Sequence, residues 1–523
     1  MLNNKIRKHH IVVIKNIGTL LFLLCLALTV DGQNFVTGKV LDAETKEPLA
    51  FVNIVTNNSN IGTATDIDGK FSISSERQIE FLSLSFVGYK PKTFYLKGKS
   101  RGLEIYLEKT SFELSEVVVV AGENPAHRII RNVLANRDKN DPEKIPSFAY
   151  TSYEKLVFTV DTLDLKEAEK KEDDTSAANL KKFLKDKDFF MMETVTERKF
   201  MAPDRNHEKI LASRVSGFRD PVLVFLSTQL QSSTFYREMI RISDKNYINP
   251  ISKGSTRKYY FQLEDTTYTA RGDSVFIISY RPRINTNFDG LQGILSINSH
   301  RWAIQNVIAG PARDESGLTI RIQQMYELIN DSTWFPVQLN TDIIFKNVMV
   351  NDVMPVGRGK KYIKDIELNP ELVKRQFNQI SIEFDPGAGD RSADFWRQYR
   401  GDSLNSRERR TYEFIDSVGR EANLDQKAYT IKSLLNNRLP LGKVDLDLSK
   451  IARYNEYEGL YLGLGLLTNR KFSQVIQAGG FWGYGFRDKT AKYGGDLSLT
   501  LDRYREIRLN MGYFDAVTET GGV

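Results

Sequence analysis

The chain has 523 residues, more than one hydrophobic core usually serves, so about two to four domains are expected. Its 73 Lys and Arg residues exceed its 66 Asp and Glu residues only slightly for this length. A nucleic-acid binder would need a concentrated basic face, which a chain so near charge balance does not supply. With 27% charged and 11% aromatic residues, the chain is not disordered as a whole.

The N-terminus has the three-part layout of a secretory signal peptide, predicted over residues 1–32. A basic segment spans Lys5–Lys15, an apolar run follows at Ile17–Val30, and Gly32 supplies a small residue before Gln33. The apolar run is too short to span a bilayer comfortably. Its Cys25 is the only cysteine, so the exported chain would have no disulfide, no thiolate nucleophile and no Cys-ligated metal.

Residues 33–110 are predicted to form a small β-sandwich, because short segments of alternating polarity recur between turn signals. Turn chemistry separates them, as at Asn57-Asn58 and Asp68-Gly69. The predicted strands are Phe35–Leu41, Phe51–Thr56, Lys70–Ser74, Glu80–Phe86, Thr93–Leu96 and Leu103–Glu108.

A linker strand and a helix are predicted over 111–145, and a β-rich middle domain of unknown function with some helices over 146–440. The valine run Val117–Val120 is followed by a turn at Gly122–Pro125, and residues 126–137 have helical periodicity. The clearest meander runs from Tyr259 to Phe345, with hairpin signals such as Arg271-Gly272-Asp273. Residues 392–435 are predicted to be helical again.

Residues 441–523 are predicted to begin a transmembrane β-barrel. Segments of roughly ten residues alternate apolar with small or polar side chains, as barrel strands do. They are Tyr457–Leu466, Val475–Phe486, Ala491–Leu501 and Arg508–Phe514. No apolar stretch after the signal peptide is long enough for a transmembrane helix, so strands must make any crossing. The residues predicted to face lipid are Leu460, Leu462, Leu464, Leu466, Trp482, Tyr484, Leu497, Leu499, Leu501, Leu509 and Met511.

A water-soluble antiparallel meander also alternates, and it is the alternative for this segment. Its apolar face would have to meet a second layer, and no later segment is available to supply one. The segments are too few to close a barrel, because the smallest bacterial barrels have about eight strands. We therefore expect the barrel to be incomplete here and the chain to be the front part of a longer polypeptide.

Short motifs between Val36 and Leu96 resemble the carboxypeptidase-regulatory-like domain. They are Gly38-Lys39-Val40, Glu47-Pro48-Leu49, Val52-Asn53-Ile54, Thr65-Asp66-Ile67-Asp68-Gly69-Lys70-Phe71 and Gly88-Tyr89. The resemblance covers residues 34–108. It implies a prealbumin-like β-sandwich, a fold that stands at the N-terminus of many outer-membrane proteins.

The stretch Leu114–Val120 resembles the segment that follows this domain in TonB-dependent receptors. There a valine-rich strand engages the energy-coupling protein. The resemblance implies a coupling strand made of Glu116, Val117, Val118, Val119 and Val120, with a periplasmic energy-coupling or envelope protein as partner.

Beyond that segment the chain resembles an uncharacterised outer-membrane family, which joins the regulatory-like domain to a middle domain of unknown function and a C-terminal β-barrel. The motifs that carry this resemblance are Gly122–Ala126, Ser213–Gly217, Phe288–Leu291, Trp334–Pro336 and Tyr454–Leu460. The resemblance implies location and architecture, since the family has no assigned activity.

Enzyme chemistry finds no support in the residue pattern, despite the name of the N-terminal domain. A zinc carboxypeptidase needs a histidine and a glutamate three residues apart plus a second histidine. No glutamate follows at that spacing after His127, His207 or His300. No catalytic residue, metal or cofactor is predicted. A carboxylate-only hydrolase housed in the middle domain is the alternative.

Two motifs have more than one interpretation. Asp66-x-Asp68-Gly69 favours a hairpin turn over a calcium loop, because the glutamate expected later in such a loop is missing. Trp396–Arg400 favours a helix face that covers the barrel mouth, with a sugar or phosphate site as the alternative.

The predicted protein is therefore mainly β and non-enzymatic. It lies in the cell outer membrane, in contact with membrane lipid, with its N-terminal domains in the periplasm and a role in transport or envelope assembly. A TonB-dependent receptor-like importer is the alternative. Nucleic acid is not an expected partner, and the ligand is unknown.

Overall fold

A computed structural model describes residues 34–517 with internal gaps. The gaps are 58, 60, 111–122, 161–181, 219–233, 243–244, 270, 314–317, 346–353, 378–381, 402, 436, 470 and 503–506. Two predicted features, the signal peptide at 1–32 and the coupling strand Glu116–Val120, lie outside the described residues.

The protein is mainly β, with 54% strand and 17% helix, as the alternation of the sequence predicts. The described residues divide into two compact units. The first, here called the N-terminal unit, comprises residues up to Val133 together with Phe261–Ser279 and Ile294–Asn306. The second comprises Leu134–Tyr260, Tyr280–Gly293 and the chain from Val307 onward.

The N-terminal strands form a β-sandwich of two sheets, with orders β4-β1-β7 and β3-β2-β5-β6. Strand β1 runs antiparallel to β4 and parallel to β7, with Gly38 opposite both Phe71 and Leu103. Fully buried aliphatic residues such as Val40 and Ile54 fill the core. The strands are β1 (Asn34–Asp42), β2 (Asn53–Thr56), β3 (Gly62–Ala64), β4 (Lys70–Ser75), β5 (Phe81–Ser85), β6 (Lys92–Tyr95) and β7 (Leu103–Leu107).

The Asp66 motif forms the predicted turn before β4. The side chain of Asp66 accepts a hydrogen bond from the backbone N–H of Lys70 at 2.8 Å, and its carbonyl accepts one from Gly69 at 3.0 Å. Gly69 has a φ of 72°, in the left-handed region that favours glycine. No group of three or more His, Cys, Asp or Glu side chains among the described residues could hold a metal ion.

The carboxylate of Asp42, at the end of β1, ties together the loops at one end of the sandwich. It accepts hydrogen bonds from the backbone N–H groups of Glu44 and Thr45 at 2.8 and 2.9 Å, and from the Tyr89 hydroxyl at 2.7 Å. Lys109 adds an ion pair at 3.4 Å. Burial alone would raise the pKa of Asp42, but these donors together lower it to about 2.

The low pKa of Asp42 predicts a pH-dependent contribution to stability. A carboxyl group with a lowered folded-state pKa stabilises the fold above its unfolded pKa of about 3.8, and the contribution disappears as the pH falls through about 2. We expect Asp42→Asn to destabilise the sandwich by up to about 2 kcal/mol at pH 6 and by little at pH 1.5.

The measurement is unfolding of the intact chain in urea at both pH values, read by pulsed hydrogen exchange of the peptide that contains β1. Glu80→Gln, at an exposed position of the same domain, is the matched control. An equal loss of stability at both pH values would contradict this account of Asp42.

The middle of the chain builds an 11-stranded sheet, in the order β13-β14-β15-β16-β17-β18-β19-β8-β9-β10-β20, and a separate β11-β12 hairpin. The predicted meander is its β13–β18 portion. The strands are β8 (Ser147–Val160), β9 (Phe190–Met201), β10 (Arg205–Val215), β11 (Met239–Ile242), β12 (Lys245–Ile248), β13 (Tyr259–Tyr268), β14 (Ser274–Pro282), β15 (Leu291–Asn298), β16 (Ala303–Pro311), β17 (Leu318–Ile329), β18 (Thr333–Phe345), β19 (Pro355–Leu368) and β20 (Ile382–Phe384).

Part of the β13–β14 hairpin belongs to the N-terminal unit and bonds to the sandwich. The carboxylate of Asp265 in β13 accepts hydrogen bonds from the Asn53 amide of β2 at 3.0 Å and from the Ser85 hydroxyl of β5 at 2.7 Å. Gly62 in β3 also lies close to this hairpin, since a Cβ there would stand 2.9 Å from the carbonyl oxygen of Tyr268. The N-terminal unit is therefore discontinuous in sequence.

The predicted helical regions are helical in the structure. Helix α1 (Pro125–Asn140) buries Ile129 and Val133, as its periodicity predicts. The later helices are α2 (Ser255–Lys258), α3 (Ala393–Tyr399), α4 (Ser406–Glu421) and α5 (Leu424–Leu435). Helix α4 begins with a reciprocal capping box, in which Asn405 and Glu408 each accept the other's backbone N–H at 2.9 Å.

A buried carboxylate connects α4 and the end of α3 to the sheet. Glu193 of β9 has no solvent exposure. It accepts hydrogen bonds from the Tyr153 and Tyr412 hydroxyls at 2.6 and 2.9 Å, and from Nε and Nη2 of Arg400 at 2.6 and 2.7 Å. Burial alone would raise the pKa of Glu193, but the two-pronged Arg400 contact and the hydroxyl donors hold it below its usual value.

The C-terminal strands form a 7-stranded antiparallel sheet, in the order β21-β22-β24-β25-β26-β27, with β23 paired to β24. All the strands predicted for the end of the chain are present. Their bounds are β21 (Arg438–Leu441), β22 (Val444–Asp447), β23 (Ala452–Asn455), β24 (Gly459–Thr468), β25 (Ile476–Gly485), β26 (Ala491–Asp502) and β27 (Ile507–Asp515).

Candidate membrane-facing sheet

One face of the C-terminal sheet carries large apolar side chains that stay exposed. In β24, Leu460, Leu462, Leu464 and Leu466 expose between 43% and 54% of their surface. Successive side chains in a strand point to opposite faces, so these even-numbered positions share one face. A row of half-exposed leucines in a soluble sheet would ordinarily be covered by a second layer.

The strand register extends this apolar face across the sheet. Leu464 stands opposite Trp482, and Trp482 opposite Tyr493. Residues paired in this way lie on the same face. Further along, Leu497 stands opposite Met511. The structure thus brings every residue predicted to face lipid onto one face; Tyr484, Leu497 and Leu499 are half-buried and the others are exposed.

Strand β27 departs from simple alternation, because it is exposed on both faces. Arg508, Asn510 and Gly512 are exposed like the apolar residues between them. The strand lies at the edge of the sheet, and on its polar face the ring of Phe514 stacks on that of Phe481 with 6.3 Å between ring centres. Exposure alone therefore identifies the apolar face in β24 and β25 but not in β27, nor in β26, where Asp496 and Ser498 are half-buried like Leu497.

The opposite face of the sheet is packed around one tyrosine. Tyr461 of β24 has no solvent exposure. Its ring lies over Gly463 and Gly483, where an added Cβ would meet the Tyr461 hydroxyl oxygen at 2.6 and 2.1 Å. A short 3-10 turn at Leu448–Lys450 covers the neighbouring positions, with Nζ of Lys450 4.4 Å from the centre of the Phe481 ring. The glycines give this face the space that these groups occupy.

A tight turn connects β23 to β24 and explains part of the Tyr454–Leu460 motif. The side-chain oxygen of Asn455 accepts hydrogen bonds from the backbone N–H groups of Tyr457 and Glu458 at 3.1 and 2.8 Å. Gly459 closes the turn with a φ of 65°. The motif therefore encodes a turn that asparagine and glycine favour.

The same turn buries the carboxylate of Glu458 in a charged network. Glu458 has no exposure and accepts hydrogen bonds from Nε and Nη2 of Arg453 at 2.8 and 2.7 Å and from the Asn455 amide at 2.6 Å. Lys492 of β26, itself 4% exposed, lies 3.4 Å away and also pairs with Asp488. One carboxylate thus joins β23, β24 and β26.

We predict that Glu458→Gln destabilises this sheet by about 1–3 kcal/mol, because Arg453 would lose its two-pronged carboxylate partner and the buried Lys492 would keep only Asp488 as an ionic partner. Thermal unfolding of the detergent-solubilised protein measures the effect. Glu456→Gln, which changes an exposed glutamate of the same turn, is the matched control and should leave the unfolding temperature unchanged. Equal unfolding temperatures for the two variants would refute the role of Glu458.

The apolar face was predictable from the sequence, but the buried pair of Glu458 and Lys492 was not. Lys492 alternates onto the polar face of its strand, as expected, but nothing local shows that a carboxylate from an earlier turn meets it. Within the described residues, no helix is long and apolar enough to cross a membrane.

Comparison with known families supports the domain motifs. Residues 36–119 match the model of a CarboxypepD_reg-like domain, and residues 129–354 match the model of a family of unknown function, DUF5686. The chain contains both recognised domains. Neither family is a known enzyme family.

One curated relative overlaps part of the chain. The TonB-dependent receptor SusC of Bacteroides thetaiotaomicron is 32% identical over 104 residues, which are 19% of this chain and 10% of that receptor. The chain therefore spans about a tenth of the length of this relative.

Among solved structures, a DUF1329 family protein from Desulfovibrio piger aligns over 49% of this chain and 98% of its own, with 7% identity and a TM-score of 0.23. MucB in complex with MucA(peri) aligns over 74% of this chain and 92% of its own, with 7% identity and a TM-score of 0.14. Both scores are too low to assign a shared fold.

Proposed function

We propose that this protein is anchored in an outer membrane by its C-terminal sheet, whose strands belong to a transmembrane β-barrel. The observation that carries the proposal is the apolar face of β24–β27, interrupted at Gly480 and Gly495 and largely exposed, together with a glycine-rich and charged opposite face. In a barrel, the apolar face contacts lipid and the opposite face lines the interior, so each side meets a suitable environment.

In this proposal the regulatory-like domain and the middle domain lie in the periplasm, and the protein is a non-enzymatic component of transport or envelope assembly. The local similarity to a TonB-dependent receptor and the regulatory-like domain are in keeping with an outer-membrane-associated protein. Membrane lipid is one partner, and a periplasmic energy-coupling or envelope protein is the other.

Heat modifiability on a detergent gel tests the anchor, with outer-membrane fractions of cells that express the protein from its own gene. A closed barrel resists detergent until it is boiled, so we expect a band that shifts on heating. Recovery of an unshifted protein in the soluble periplasm would refute the proposal, and the C-terminal sheet would then be an ordinary soluble meander.

A charge in the middle of the apolar face should disturb the anchor. We predict that Leu464→Lys reduces the heat-shifted, membrane-bound fraction, because a lysine on the lipid side near the bilayer midplane costs about 2–4 kcal/mol. Ile284→Lys is the matched control, since Ile284 is an apolar residue with 82% exposure outside this sheet. Equal membrane fractions for both variants would argue that the leucine face does not contact lipid.

The second candidate is a TonB-dependent receptor-like importer. It is favoured by the similarity to SusC over 104 residues and by the valine-rich segment that ends at Val120. Deletion of residues 115–120 discriminates between the candidates. Loss of function with a normal heat shift would support the importer, whereas full function would exclude energy coupling through this segment.

A further inference from the structure

The second compact unit contains an arginine-rich cleft of about 1060 Å³ that the membrane proposal does not use. It opens between the end of β10, the chain around α3, and the junction of α4 with α5. Arg214, Arg391, Arg400 and Arg420 all line it. A cleft of this size can hold a ligand with many more atoms than a single small ion.

Two of these arginines are fixed in place while keeping a free donor. Arg400 uses Nε and Nη2 to bind Glu193, and Arg391 uses Nε for the carbonyl of Leu211 at 2.8 Å and Nη2 for Asp385 at 2.5 Å. Within the described residues, Nη1 of each guanidinium has no acceptor. The side chains are therefore rigid, and each retains a donor group that a ligand could use.

The other two arginines are more exposed. Arg214 stacks on the ring of Tyr412 at 3.8 Å and lies 3.5 Å from Asp416, whose carboxylate also accepts the backbone N–H of Gly217 at 2.7 Å. Arg420, near the end of α4, donates to no acceptor in the described part of the chain. Asp390 and Asp416 also line the cleft, and Arg391 and Arg400 are paired with Asp385 and Glu193, so Arg420 is the lining arginine that has no ionic partner among the described residues.

An unpartnered polar group stands in the same lining. Ser213 is 4% exposed, and its hydroxyl oxygen has no hydrogen-bond partner among the described residues. Buried hydroxyls are nearly always paired with protein, water or ligand. The amide of Gln426, in the first turn of α5, supplies a further polar group to the cleft.

We propose that this cleft binds a phosphate-bearing ligand. A single carboxylate is satisfied by one arginine fork, whereas a phosphate offers at least three acceptor oxygens and up to two charges. Arginine groups that approach from β10, α3 and α4 can bind such a group from several sides. The same chemistry occurs in a soluble phosphate compound and in a lipid headgroup.

Calorimetric titration of the intact, detergent-solubilised chain tests the proposal at constant ionic strength. Inorganic pyrophosphate is the soluble probe, and glycerol phosphate represents a lipid headgroup freed of its acyl chains. We expect saturable binding of at least one probe. The probe that binds more tightly indicates the source of the natural ligand.

Arg420→Gln and Arg214→Gln should each weaken binding about tenfold or more, the usual effect of losing a charged hydrogen bond. Arg420→Lys should recover only part of the loss, because an ammonium keeps the charge but not the fork. Arg410→Gln is the matched control, because it removes an arginine from the same helix outside the cleft lining. It should change the affinity less than twofold, about the effect expected from removing one surface charge.

A second measurement needs no variant. Pyrophosphate should protect Arg420 and Arg214, but not Arg410, from modification by an arginine-specific dicarbonyl reagent, as read by mass spectrometry. Three results would each overturn the proposal. Neither probe binds; the Arg410 and Arg420 variants lose affinity equally; or citrate protects Arg420 and Arg214 whereas neither phosphate probe does.

Discussion

The carboxylate of Glu193 joins helix α4 and the end of helix α3 to the 11-stranded sheet. It lies on a central strand, without solvent exposure, and four donor groups from three side chains surround it. A buried charge is tolerated only when partners replace the water it has lost, and removing one partner usually costs several kcal/mol. Arg400 and Tyr412 are therefore held in position. Because Arg400 lines the cleft and Tyr412 stacks with Arg214, this part of the cleft wall is rigid.

The C-terminal sheet also contains a buried carboxylate that is paired with an arginine, but this one links strands to each other. Glu458 is as deeply buried as Glu193 and also binds an arginine through two nitrogens, but its partners come from neighbouring strands. Here the ion pairs join β23, β24 and β26 on the packed face, while the leucines lie exposed on the reverse side.

The architecture was largely predictable from the sequence, because strand and helix periodicities are local. The alternation in Tyr457–Leu466 gives one strand face directly, and residues 126–137 show a helical stripe. The short strand Gly62–Ala64 was missed, since its few small residues show no alternation. The membrane setting of the C-terminal sheet stays a prediction, because burial against a protein layer and contact with lipid both produce the same alternation of apolar and polar residues.

The buried polar groups were not predictable in the same way. Glu193 lies 40 residues from Tyr153 and more than 200 from Arg400 in the sequence, so no local spacing predicts their contact. The cleft arginines are equally scattered. Only the Trp396–Arg400 motif pointed to the cleft in the sequence, because its alternative interpretation was a sugar or phosphate site. In the structure, Trp396 packs in one cluster with Tyr153 of the sheet, and Arg400 lines the cleft.

The discontinuity of the N-terminal unit has a consequence for the order in which the chain can fold. Asn53 and Ser85 find their shared acceptor, Asp265, only after 212 and 180 further residues have been made. Contacts of such long sequence separation form late and slow the completion of a fold. During synthesis and any transport across a membrane, the first domain to emerge would wait for the middle of the chain, and a truncated product that ends before Phe261 would leave it without that support.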